Sequence, residues 1–405
     1  MGGMCMLERL LIDRVRQRVE TTGLPLAVQL WNGECLGSAS AKVRIELKQL
    51  ASLKALAHPE LGTLARAYVE GALNLYGDIR DILAVGNDLC AADAATSRTG
   101  STRWQWWRHT RSRDRRNIQY HYDVSNDFFG LWLDADRIYS CAYFRDAGMS
   151  LEAAQLAKLD HICRKLALKP GEKLLDIGCG WGGLVCHAAE HYGVSAVGVT
   201  LSEDQYAWAS DGVGRRGLTN QVEIRLMDYR DIPEREGYDK IASVGMFEHV
   251  GRPQLAAYFE KIAALLKPGG LMLNHGITSA APGTRGLGGG ISEFVDEYVF
   301  PGGELVHASE VLHAAAASNL ECLDAENLRP HYAATLWNWV ARLEQHETEA
   351  IRLIGEDKYR IWRIYMAGSA HAFEQGWIEL WQVLAGKGDT GRLSAYPFNR
   401  EYQYR

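Results

Sequence analysis

The run from Lys173 to Gly183, KLLDIGCGWGG, constrains the fold more than any other stretch of the chain. Lys173 to Ile177 reads as a buried strand, Gly178 to Gly183 as a tight turn, and the residues after it as a helix start. Gly178, Gly180 and Gly182 carry no Cβ, so the backbone can bend sharply there and approach a ligand closely. Such a strand–turn–helix is predicted to set free amides against a nucleotide-like group. The spacing is not the G-x-G-x-x-G of dinucleotide folds, and an acid, Asp176, lies just ahead of the first glycine.

The segments that follow repeat the pattern. Strands are predicted at 173–177, 194–199, 222–226, 239–244 and 271–276, with helices near 182–191, 203–216 and 253–266. Alternating strands and helices imply a parallel sheet with right-handed crossovers. Ligands of such sheets sit beyond the carboxyl ends of the strands. The residues just past each strand are therefore the candidates for chemistry. After the second strand these are Thr200, Leu201, Ser202 and, one turn into the helix, Gln205; after the third, Asp228 and Tyr229. The fourth strand leads to Glu248 and His249, and the fifth ends at His275, with Ile277 two residues on. Upstream, IYSCAYF carries Tyr139, Ser140 and Cys141. Taken singly, each has a plain structural reading: Cys141 as a buried thiol, His275 as a strand end, Glu248 as an arginine partner.

Around this α/β core the chain divides by composition. Residues 1–95 read as a small α+β domain, with helices at 7–18 and 61–75 and strands at 26–30 and 43–47 about an Asn32–Gly33 turn. Residues 96–118 read as a linker, and 119–405 as the second domain. The stretch Tyr332 to Val383 reads as helical, its many large aromatics at a spacing that suits a core more than a pocket. The glycine-rich segment 280–290 reads as a lid or a loose loop.

The net charge of -6 excludes a general polyanion binder. Between Arg98 and Arg116, however, stand seven arginines, one histidine and one acid, with Trp104, Trp106 and Trp107 among them. Basic residues with tryptophan suit an anionic bilayer surface. No stretch approaches the roughly 18 apolar residues of a spanning helix, and no signal peptide is read at the start. The eight cysteines are scattered, without C-x-x-C or zinc spacing, so reduced thiols, no metal and a cytoplasmic setting are expected.

The D-x-G-x-G after a strand resembles the S-adenosylmethionine loop of Rossmann-like methyltransferases. A more specific resemblance follows from HYDVSNDFF (121–129), YSCAYF (139–144), DIGCGWGG (176–183), VTLSEDQ (199–205), GMFEHVG (245–251), FPGGEL (300–305) and HYAATLWNW (331–339). In this order they are similar to the cyclopropane-fatty-acyl-phospholipid synthase family, which includes the mycolic acid cyclopropane synthases and methyltransferases. The resemblance covers about 119–339, with a weaker match in the N-terminal block. It implies a Rossmann-like S-adenosylmethionine methyltransferase domain with a small N-terminal α+β domain that presents lipid. It implies cofactor contacts from Tyr139, Ser140, Asp176, Gly178, Gly180, Gly182, Thr200, Leu201, Gln205, Asp228 and Tyr229. It also implies a bound bicarbonate acting as base, held by Cys141, Glu248, His275, the Ile277 backbone and Tyr332. The expected reaction adds a methylene group across a cis double bond of an unsaturated phospholipid acyl chain. A methyl-branched or methylene product shares the same cation, and small-amine N-methylation is a further alternative, because some plant N-methyltransferases keep much of this core. The resemblance further implies a homodimer at the inner face of the membrane. Nucleic acid is not an expected partner.

Overall fold

The computed structural model describes residues 6–38, 40–91, 124–283, 287–388 and 397–404. The basic tryptophan-rich linker lies outside these residues, as does the start of the HYDVSNDFF motif. The chain forms two compact units that interleave along the sequence: residues 1–102, 286–301 and 343–371 in one, and 103–285, 302–342 and 372–405 in the other. A single boundary near residue 95 therefore does not describe the packing, since two later segments belong with the N-terminal block.

The first unit contains a four-stranded sheet of β1 (Leu26–Gln29), β2 (Cys35–Gly37), β3 (Val43–Leu47) and β4 (Leu73–Tyr76), in the order β2-β1-β3-β4. Only β1 and β3 run parallel. The helix expected at 61–75 stops at Val69. Gly71 takes φ +71°, and the Ala72 amide donates to Ala67 O, which ends the helix and lets the chain return as β4. Residues 287–290 are not a loose loop. They pack within this unit, where the Gly62 amide donates to Gly289 O at 2.8 Å.

The second unit holds a seven-stranded sheet. Five parallel strands form its body: β5 (Lys173–Ile177), β6 (Ser195–Thr200), β7 (Val222–Leu226), β8 (Tyr238–Val244) and β9 (Leu266–Ser279). Two strands not expected from the sequence, β10 (Leu320–Asn327) and β11 (Ile378–Lys387), extend it antiparallel in the order β10-β11-β9-β8-β5-β6-β7. The tail of the stretch read as helical, through Trp381 and Val383, is thus a strand.

The sheet is covered on both faces, and alternation along each strand assigns the residues. On β5, Leu175 and Ile177 join the core that contains the helices Leu255–Leu265 and Ala308–Ala317. Leu174 joins the core of the helices Leu151–Lys165 and Gly183–Tyr192. Each fully buried aliphatic side chain adds about 2 kcal/mol, so burial rather than local propensity fixes the register. The same alternation turns Asp176 towards the Leu174 side, the face covered by Leu151–Lys165.

Candidate active site

The glycine turn after β5 opens a cavity at the carboxyl ends of β5, β6, β7 and β8. It brings together Tyr139, Ser140, Asp176, Gly178, Gly180, Thr200, Leu201, Gln205, Asp228 and Tyr229, ten of the eleven residues expected to hold the cofactor. Gly182 is the exception. It caps the helix Gly183–Tyr192 at φ +87°, and a Cβ there would lie 3.1 Å from the Ala209 Cβ. Its glycine serves close helix packing rather than ligand approach.

The turn does not offer all its amides to a ligand, contrary to the sequence reading. The Gly178 and Cys179 amides both donate to Val199 O, at 2.9 and 3.0 Å, and tie the turn to β6. Gly178 sits at φ +81°, and a Cβ on it would meet Met246 Cγ at 3.0 Å. The bare backbone here is what keeps the cavity wall open. Beside it the Thr200 hydroxyl donates to Gln205 Oε1 at 2.7 Å, while Ser202 Oγ caps the next helix by accepting from the Gln205 amide. Asp228 lines the wall, but its carboxylate accepts from the Arg230 amide and guanidinium at 2.6 to 2.9 Å.

Tyr139 is held by three rings, from the helix Asn126–Gly130, the turn after it and the helix Arg329–Gln345. Its centroid lies 5.8 Å from Phe129, 5.5 Å from Trp132 and 5.3 Å from Trp339. Each such pair adds about 0.5–1.5 kcal/mol beyond burial. Trp181 joins the cluster against Phe129 at 5.0 Å and donates from Nε1 to Asn126 Oδ1 at 2.7 Å. Trp337 and Trp339 are buried but line no part of this cavity, as the core reading expected.

None of the five residues expected to hold an anion lines this cavity. Glu248 and Ile277 do meet: Glu248 Oε1 accepts from the Ile277 amide at 2.8 Å. Gly276 leaves the room, since a Cβ there would lie 3.1 Å from the same oxygen and against the Phe247 ring. The amide expected to bind the anion is therefore already paired with Glu248. Glu248 Oε2 is shielded from solvent and has no protein partner among the described residues. Burial pushes this acid up to about 7, against the pull of the Ile277 amide. His275 is 1% exposed, and Gln382 Nε2 donates to its Nδ1 at 3.1 Å. The ring proton then sits on Nε2, which is also buried without a partner. Burial, with the Lys158 and Lys165 charges next in weight, holds the ring well below the usual histidine range, so it is neutral. Cys141 is fully buried, with its Sγ donating to Ala142 O at 3.2 Å. Burial keeps it a thiol, which excludes a resting thiolate nucleophile. Tyr332 packs its ring 4.8 Å from Phe373 and 6.1 Å from Trp339.

A small oxyanion with one O–H fits two of these groups. Glu248 Oε2 could accept from its O–H and His275 Nε2–H could donate to its oxygen, and each is a buried polar atom, unpartnered among the described residues, that otherwise costs about 1–3 kcal/mol. An S-adenosyl ligand fits the cavity at the strand ends, whose Gly178 wall a side chain would close and whose buried Asp176 Oδ1 has no partner among the described residues.

The sequence reading missed Lys158, Arg137, Arg230 and Met246 in the cavity wall, which His249 also lines. Lys158 left a trace: it falls on the apolar stripe of its helix with Leu151 and Ile162, where a lysine is out of place. Arg137 left none; it takes φ +53° and stacks over Trp208 at 3.6 Å.

The family described as mycolic acid cyclopropane synthetase matches residues 109–383. The chain belongs to this family. It is 43% identical over 388 residues to a probable fatty acid methyltransferase of Pseudomonas putida, covering 96% of this chain and 98% of that one. It is 40% identical over 268 residues to the cyclopropane-fatty-acyl-phospholipid synthase of Escherichia coli K12, covering 66% of this chain and 67% of the relative. The solved structure of the mycolic acid cyclopropane synthase CmaA1, complexed with SAH and CTAB, aligns at TM-score 0.64 and 37% identity. That match covers 67% of this chain and 98% of CmaA1.

The two raised acids make stability depend on pH. Burial lifts Asp176 to about 7, with Lys158 pulling the other way, and Glu248 is lifted equally high. Both bind their protons more tightly folded than unfolded. The stabilisation is thus complete below about pH 4 and is lost as pH rises through 7. Asp176→Asn and Glu248→Gln are each expected to raise the melting temperature relative to wild type at pH 8, by up to about 3 kcal/mol of stability. Differential scanning calorimetry should show the gain vanishing towards pH 4. A gain that grows on acidification would mean the carboxylates are stabilised as anions.

Proposed function

We propose that the protein transfers a methyl-derived carbon from S-adenosylmethionine to a cis double bond of an unsaturated phospholipid acyl chain, closing a cyclopropane ring. One observation carries this reading. The cavity gathers the residues expected to hold the cofactor, while Glu248, past the end of β8, and His275, inside β9 rather than at its end as the sequence suggested, each carry a buried polar atom with no partner among the described residues. The names of the relatives support a lipid substrate.

When bound, the donor supplies an electrophilic methyl on a sulfonium. Tyr139, Ser140, Gln205 and the glycine turn would seat it. Attack by the alkene leaves positive charge on a lipid carbon with no heteroatom beside it. The protein's part is to exclude water from that carbon and to set negative charge near it. The buried Glu248 carboxylate provides the charge, and Ile277 fixes its direction. A bicarbonate held by Glu248 and His275 would supply a base for the proton that ring closure releases. Neutral His275 adds no competing cation. The fatty acid methyltransferase name of the Pseudomonas putida relative favours a second outcome, in which the same cation ends as a methyl branch.

The membrane surface is the setting of this proposal. No helix among the described residues is long and apolar enough to cross a membrane. Incubation with a methyl-labelled donor and vesicles tests the reading. Label is expected in vesicles of cis-unsaturated phospholipid and absent from fully saturated ones. Equal label in both, or label only in added small amines, would overturn it.

A further inference from the structure

The segment that carries Tyr139 and Ser140 has no regular secondary structure, yet both residues line the donor cavity. Two buried polar side chains grip it from the helix Leu151–Lys165. Gln155, 1% exposed, donates from Nε2 to Ile138 O at 3.2 Å and to Ser140 O at 3.0 Å. Lys158, 2% exposed and three residues on, donates from Nζ to Ser140 Oγ at 2.8 Å and itself lines the cavity. The spacing puts both on one helix face, a turn apart. A lysine buried this deeply is rare unless its charge is compensated. The groups acting on it are the Asp134 and Asp176 carboxylates and the Cys141 and Cys163 thiols, and neutral His275 feels its charge from β9.

We propose that Lys158 is a positioning residue of the donor site: with Gln155 it clamps the Tyr139–Ser140 segment, and its buried ammonium, bonded to Ser140 Oγ in the cavity wall, sets the affinity for the S-adenosyl ligand. This deepens the reading of the cavity as a methyl-donor site and rests on it. The clamp divides the work. Gln155 holds the backbone by its carbonyls. Lys158 fixes the Ser140 hydroxyl oxygen by occupying one of its lone pairs, which turns the hydroxyl proton away from the ammonium. The ammonium's charge also acts on Asp176, whose buried Oδ1 has no hydrogen-bond partner among the described residues. Burial lowers the lysine to about 8, with the two carboxylates opposing that fall, so the charge is present at neutral pH and is lost in mild alkali.

Calorimetric titration with S-adenosylhomocysteine between pH 7 and 9.5 tests the assignment. Wild type should bind tightly at pH 7 and lose roughly tenfold in affinity as pH passes about 8. Lys158→Met and Lys158→Gln should both bind about tenfold more weakly at pH 7, with no further loss in alkali. Gln155→Leu should weaken binding while keeping the wild-type pH profile, because it loosens the backbone and leaves the charge. Lys158→Met binding within about threefold of wild type on the same profile would overturn the proposal. If the lysine variants do not fold, a flat wild-type profile overturns it by itself. Failure of wild type to bind S-adenosylhomocysteine at any pH would instead sink the donor-site reading.

Discussion

Gly178→Val is expected to abolish useful binding of the methyl donor while leaving the chain folded. The residue sits at φ +81°, where a β-branched side chain is strained by about 2 kcal/mol. The new Cβ would meet Met246 Cγ at 3.0 Å and Cβ at 3.1 Å, both near the methionine backbone and unable to swing away freely. The remaining branch points into the space that the bare backbone leaves open. Strain and lost room together should weaken S-adenosylhomocysteine binding by at least roughly a hundredfold. Gly180→Ala is the fitting comparison. At φ +55° with no atom within 4 Å of its Cβ, it should cost only the backbone strain, about 1 kcal/mol. Equilibrium binding on both variants checks the pair. Equal affinities for Gly178→Val and wild type would mean that the donor does not approach this turn.

Glu248→Gln is expected to cut turnover by about 100-fold or more while changing donor affinity by less than about threefold. The amide oxygen can still accept from the Ile277 amide, as Oε1 does now at 2.8 Å, so the local fold is kept. What disappears is the negative charge and the free acceptor at Oε2. Glu248 is outside the wall of the donor cavity, so binding should be spared. Single-turnover kinetics on saturating unsaturated vesicles, beside calorimetry with S-adenosylhomocysteine, separates the two quantities. Turnover within about fivefold of wild type would remove Glu248 from the chemistry.

How far the sequence reveals the site depends on what kind of signal each residue leaves. Gly178 and Gly180 are legible because only glycine suits a left-handed turn against a ligand, and Asp176 because an acid inside an apolar strand is conspicuous. The parallel core strands are legible as apolar runs between turn residues. β11 is not. It is buried between β9 and β10, and its tryptophan at position 381 stands four residues after Trp377, which imitates a helix face. β10 is hidden by its own charges. Asp324 and Glu326 make it look like a loop, yet they pair with the buried Lys165, at 3.4 and 2.5 Å, and Asp324 also pairs with Arg400. Those partners lie far off in sequence, so no local pattern shows that the acids are compensated. The Lys158 clamp is half legible for the same reason. The misplaced lysine can be seen, but its target Ser140 becomes visible only when the helix folds back over the motif. The family resemblance supplied the anion-binding set, and the folded chain shows how two of its members already meet through Glu248 and the Ile277 amide.

The central claim is that lipid alkene, rather than amine or saturated chain, receives the carbon. Mass spectrometry and proton resonance of phospholipid recovered after reaction with a trideuteromethyl donor test it most directly. The account predicts a product heavier by one CD2 unit, with the olefinic protons gone and cyclopropane protons in their place. Unaltered unsaturated lipid, with all three deuterons carried on a nitrogen or oxygen of another acceptor, would contradict it.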